Sequence, residues 1–123
     1  MSEIMAVLLN GTAELEYNRN TPLPDYQALY LDKMDEKMSQ GILIADNMIK
    51  DPDTNQRAQF VASNLYHAIK NNNESVAASM CTYLANRMQD LKQVKIIEHD
   101  GDVTIDLVFD ENYKKQVAVQ FTH

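Results

Sequence analysis

Tryptophan is absent from this sequence, and cysteine occurs once, at Cys81. One thiol cannot close an internal disulfide, so nothing covalent staples the fold and a reducing compartment is expected. Glycine is nearly as scarce. Gly11, Gly41 and Gly101 are the only three, each isolated, which excludes a glycine-rich phosphate loop. Long apolar runs are missing too. No stretch approaches the ~18 apolar residues of a spanning helix, and Met1-Ser2-Glu3 carries no basic region ahead of an apolar one. Neither a membrane segment nor a secretion signal is expected, and the chain reads as cytoplasmic. Positive charge is also short: 11 Lys and Arg stand against 18 Asp and Glu, for a net charge of −7. Phosphate backbones repel such a surface, so nucleic acid is not an expected partner. Lys92, Lys95, Lys114 and Lys115 are too dispersed to make a strong basic patch.

What is present is an ordinary globular composition, 45% hydrophobic and 24% charged. At 123 residues the chain suits a single domain, 1–123. A domain of this size buries about 65% of its unfolded surface, enough for one core.

The clearest pattern lies in Asp53–Leu91, two amphipathic helices in tandem separated by Asn71-Asn72-Asn73. Ala58, Val61, Ala62, Leu65, Ala68 and Ile69 recur at spacings of three and four, and so do Ala77, Met80, Cys81, Leu84, Met88 and Leu91. The asparagines supply a left-handed stop for one helix and a cap for the next. Asp51-Pro52-Asp53-Thr54 opens the first of the pair, with proline suited to an initial turn and acids opposing the positive end of the dipole.

Upstream, Asn10-Gly11 is a two-residue hairpin turn, since both central positions of a type I′ turn need positive φ. A simple ladder from that turn sets Leu8 against Ala13, Val7 against Glu14 and Ala6 against Leu15. The second strand alternates. The first does not, because Met5, Val7 and Leu9 leave its other face apolar as well. A strand greasy on both faces is covered twice, by its own helices or by a second subunit. After the Asn18–Pro24 linker, a long helix is expected from Asp25 to about Lys50, with Tyr30, Met34, Met38, Gly41, Ala45 and Met48 in its stripe. Glycine within a stripe costs about 1 kcal/mol relative to alanine, a cost that close approach of another helix would explain.

From Val94 the period drops from 3.6 to 2. Asp100-Gly101 makes a second two-residue turn, pairing Ile96 with Ile105, Val94 with Leu107 and Lys95 with Asp106. Val117, Val119 and Phe121 propose a third alternating strand.

No motif places the chain in a family. Asp32 and Glu36 are paired carboxylates one turn apart, but lysines flank them and solvated surface is the plainer reading. Three histidines, His67, His99 and His123, and one cysteine at no metal spacing do not compose a zinc site. His99-Asp100-Gly101-Asp102 is what the turn itself needs. Cys81 could act as a nucleophile beside His67, although its place in the stripe predicts a buried, inert thiol. The methionines fall on core stripes and suit either core filling or a helix groove that accepts a partner.

The fold class expected is α+β: an N-terminal β-hairpin, three helices and a C-terminal three-stranded antiparallel meander, forming one antiparallel sheet with helices on one face. The function expected is that of a small acidic interaction or regulatory protein, without cofactor or metal. It acts through a protein-binding surface as a homodimer, with Met5, Val7 and Leu9 at the interface. One alternative is a small enzyme or ligand-binding domain using His67, Cys81 and nearby carboxylates. The other is an immunity- or inhibitor-type protein covering a basic target.

Overall fold

The computed structural model describes residues 3–114. Along the chain run β1 (Ile4–Leu9), β2 (Thr12–Asn18), α1 (Asp25–Ser39), β3 (Ile42–Ile44), β4 (Asn47–Ile49), α2 (Thr54–Lys70), α3 (Glu74–Arg87), β5 (Gln93–His99) and β6 (Asp102–Val108). The chain is α+β, as its periodicities require. No helix among the described residues is long and apolar enough to cross a membrane. The expected strand at Val117–Phe121 lies outside the described residues.

The main sheet runs β2-β1-β5-β6, and β1 pairs β5 in parallel. A purely antiparallel sheet was the expectation, and the mixed sheet corrects it. Two parallel strands need a crossover of a dozen residues or more, and the helical segment between β2 and β5 is that crossover. Local pattern reveals each hairpin but not the seam where two hairpins join.

The second hairpin has the expected register: Ile96 opposes Ile105, Val94 opposes Leu107 and Lys95 opposes Asp106. The first does not. Val7 opposes Leu15 and Leu8 opposes Ala13, so Glu14 is an extra residue, a β-bulge. The bulge puts Leu15 and Tyr17 on the face of Met5 and Val7, and leaves Ala13 on the face of Ala6 and Leu8. A one-residue slip reverses every side chain beyond it.

β1 is therefore apolar on both faces because both are covered within the chain. Met5 and Val7 are fully buried in the core, with Ala58, Val61, Ala62 and Leu65 of α2 and Cys81 and Leu84 of α3; Leu9 packs on the same cluster half-buried. Ala6 and Leu8 are buried on the opposite face beneath Tyr113. The interface expected at Met5, Val7 and Leu9 lapses with this result, since the chain's own helices supply the cover. Burial on two sides is the usual environment of a strand with a parallel neighbour.

The largest correction concerns α1, which stops at Ser39 rather than near Lys50. Gly41, at φ 134°, sits just past the helix end in a conformation that side chains disfavour, and its N–H donates to the Met38 carbonyl at 3.0 Å. The residues that follow form the β3–β4 hairpin, with Ala45 and Asp46 at positive φ in its two-residue turn. Ile42, Ile44 and Ile49 favour extended backbone, and an apolar run this short fits either period. Glycine here ends a helix; it does not admit a neighbouring one.

α2 begins and ends as read; α3 begins as read and stops at Arg87, short of the Leu91 end of its stripe. Asp53 and Gln56 form a reciprocal capping box at 2.8 and 2.9 Å. Asn72 takes the left-handed conformation, φ 57°, and the Asn73 side chain accepts from the Val76 N–H at 3.2 Å.

Candidate functional site

Among the described residues, the histidines and the cysteine singled out from sequence do not converge. His67 is exposed on α2, where its ring meets Tyr66 with centroids 5.3 Å apart. Cys81 is buried in the core on α3, and burial pushes its thiol up to about 12, partly offset by the charge of Arg19. A thiol so placed stays protonated and unreactive at neutral pH. His99 lies at an exposed hairpin tip beside Asp100, and His123 is outside the described residues. Among the described residues, no group of three or more His, Cys, Asp or Glu side chains could hold a metal ion. Lys95 reaches Glu111 at 3.4 Å, so one of the lysines weighed as a basic patch is already paired.

The carboxylates of α1 are arranged differently from the expected Asp32–Glu36 pair. Asp35, not singled out from sequence, is the hub. Its Oδ1 accepts from Arg57 Nη1 at 3.1 Å and from the Tyr83 hydroxyl, and its Oδ2 accepts from Arg87 Nε at 2.9 Å. Arg87 reaches on to Asp32 at 2.7 Å, and Arg57 to Ser39 Oγ at 2.7 Å and the Pro52 carbonyl at 3.0 Å. Burial works against the charge on Asp35, but the Tyr83 and Arg87 hydrogen bonds and the two guanidinium charges outweigh it, and its carboxyl titrates below the usual range. With two cations and a phenol spent on one carboxylate, the cluster has no free acid or base. It fastens α1 to the start of α2 and the end of α3.

A second polar cluster joins the tips of the two main hairpins. Asn10 accepts from the Glu98 N–H at 2.9 Å and donates to Glu98 Oε1 at 3.0 Å. Glu98 Oε2 accepts from the Tyr66 hydroxyl at 2.6 Å and pairs with Lys70 at 3.1 Å. These bonds, the Tyr66 one foremost, hold the Glu98 carboxyl down at about 2. This cluster too is satisfied from within.

The most exposed apolar side chains among the described residues are elsewhere, on α1 and the hairpin after it, with lesser exposure at Ile97, Val103 and Phe109. Tyr26, Leu29, Leu43 and Met48 are 70%, 61%, 58% and 61% exposed, and Tyr30 is exposed as well. Beside them a groove of about 290 Å³ runs between α1, α2 and α3, lined mainly by Tyr30, Met34, Ile42, Phe60 and Met80, with Lys37 and Asn64 as polar members. Leu43 and Met48 face each other across the small hairpin, and the Met48 sulfur lies over Gly41 at the end of the groove. The sequence hinted at this surface through its methionines. It could not show that Tyr26, Leu29 and Tyr30 point away from the core, because the stripe expected there ran through Tyr30. Leu31 and Met38 are the residues α1 buries.

Compared with known protein families, with curated proteins and with solved structures, the chain matches none.

Proposed function

We propose that this chain is a small interaction protein, a regulator or adaptor that works by docking, and that it assembles as a homodimer through the outer face of α1 and the β3–β4 hairpin. One observation carries the reading: Tyr26, Leu29, Leu43 and Met48 present large apolar side chains to solvent around an apolar groove. Single exposed apolar residues are commonplace on a monomer, but a collection rimmed by polar groups marks a contact surface. Methionine lends itself to such surfaces because its unbranched thioether repacks against differing shapes. The polar clusters point the same way, since their hydrogen bonds are made within the chain and leave nothing aimed at a substrate.

Light scattering on the purified chain tests the reading. A particle of twice the 14.0 kDa chain mass is expected. Leu29→Asp and Met48→Asp, both at exposed positions, should return the mass to that of one chain without altering the circular dichroism. A wild-type chain that stays monomeric across the accessible concentration range would overturn the dimer.

A further inference from the structure

Resting on the homodimer reading, the pattern of α1 also specifies how two copies meet. Tyr26, Leu29, Tyr30, Lys33 and Lys37 follow helical spacings of three and four and are all exposed, so they share the outward face. The two halves of that face differ. The N-terminal half offers two phenol rings and Leu29. The C-terminal half offers two ammonium groups with the exposed Glu36 carboxylate on one flank, and neither Lys33 nor Lys37 forms an ion pair among the described residues. The groove at Met34, Phe60 and Met80 opens beside the cationic half.

We infer that α1 packs antiparallel on α1 of a second copy, about a two-fold axis level with the Leu31–Asp32 peptide. Symmetry then fixes every pairing. Tyr26 meets the partner's Lys37 and Tyr30 meets the partner's Lys33, while Leu29 and Met34, on opposite flanks of that face, border the seam on its two sides. Each ammonium lies over a phenol ring, whose face attracts cations, while the lysine stems cover apolar surface. Asp25, next to Tyr26, adds a carboxylate near the partner's Lys37. Parallel packing would instead set lysine against lysine. The overall charge matters too: two copies of a −7 chain repel at long range, so a stable seam must place cations at its centre. An isologous contact of this kind closes on itself as a dimer, with the Leu43 and Met48 hairpin completing each end of the seam.

Paired cysteines test the geometry. Positions 26 and 37 lie about 16 Å apart along one helix, too far for a disulfide or a short bismaleimide linker within a chain. Cys81 is buried and stays in place. In Tyr26→Cys/Lys37→Cys, covalent dimer should form rapidly and in high yield, whereas each single variant should give little. The second test is a swap. Tyr26→Lys should weaken dimerisation at least tenfold, and Tyr26→Lys/Lys37→Tyr should restore it to within about threefold of wild type. A dimer by mass whose double-cysteine variant links no better than the single ones, or whose swap is not restored, would overturn the antiparallel α1 contact while leaving the dimer intact. A monomer would overturn both.

Discussion

The Tyr83 hydroxyl of α3 donates to the Asp35 carboxylate of α1, 48 residues away in the chain, and that bond is the centre of the polar cluster holding α1 in place. Tyr83 is buried at 2% exposure, while the Asp35 side chain is 24% exposed. The cluster therefore lies at the edge of the core, where one side of each ion pair still meets water.

The first prediction concerns that bond. Tyr83→Phe keeps the ring packing and removes one donor to a charged acceptor, which should cost about 1.5–3 kcal/mol of unfolding free energy. Asp35→Ala leaves the buried Tyr83 phenol without its acceptor and takes a carboxylate from both guanidinium groups, of which Arg87 keeps Asp32 and Arg57 keeps Ser39 and the Pro52 carbonyl. A fully buried pair so broken costs more, but partial exposure of Arg57 and Arg87 keeps the expected loss to about 3 kcal/mol. Urea titration of both variants and the double variant checks this. Because the two act on one bond, the double variant should lose less than the sum of the singles.

Acid should weaken the fold through Glu98. Its folded-state carboxyl sits at about 2, against an ordinary value of 4.5. The unfolded chain thus binds more protons between those values. The stabilisation is present above about 4.5 and is lost as pH falls towards 2. Glu98→Gln should flatten that part of the stability–pH profile, measured as thermal midpoint from pH 6 to 2. A profile unchanged by the substitution would show that the hairpin-tip cluster does not favour the carboxylate.

Cys81 offers a direct reading of the core. A thiol that is 3% exposed and raised to about 12 should react with a thiol reagent only through opening of the fold. Labelling should be slow in buffer and fast in denaturant, followed by mass spectrometry. Fast labelling of the native chain would mean that α3 does not present Cys81 to the sheet.

The bulge yields a less intuitive expectation. Removing Glu14 leaves Val7 opposite Leu15 and Leu8 opposite Ala13, now in an unbroken ladder with every side chain on its present face. The deletion should keep cooperative unfolding. Removing Leu15 instead would withdraw a core side chain and set Glu14 opposite Val7 on the buried face, and cooperative unfolding should be lost. Thermal melts of the two deletions separate these outcomes.

Part of this structure was legible because the information is local. Asp100-Gly101 dictates its turn, and the turn dictates which of residues 93–108 face each other. The apolar stripes of α2 and α3 dictate their buried faces, and three asparagines dictate the break between them. Gly41 misled because its immediate neighbours, Ile42 to Met48, carry apolar residues compatible with both periods. Only its positive φ, which no neighbour reports, distinguishes a helix end from a helix contact.

By itself, then, the sequence determined much of the content of the chain: the turns at Asn10-Gly11 and Asp100-Gly101 and the amphipathic segments of α2 and α3. Such features follow from interactions a few residues long. Tertiary structure decided what lies far apart in the chain and close in space. It placed β1 beside β5, used the bulge at Glu14 to turn Leu15 and Tyr17 inward, and made Asp35 the meeting point of three helices. It also decided which apolar side chains remain outside. Met5 and Val7 find cover when the helices close over the sheet, whereas Tyr26 and Leu29 do not, because Leu31 and Met38 already occupy the buried side of α1. A hydrophobic pattern states how much must be buried; only packing in three dimensions settles which surface is left to a partner.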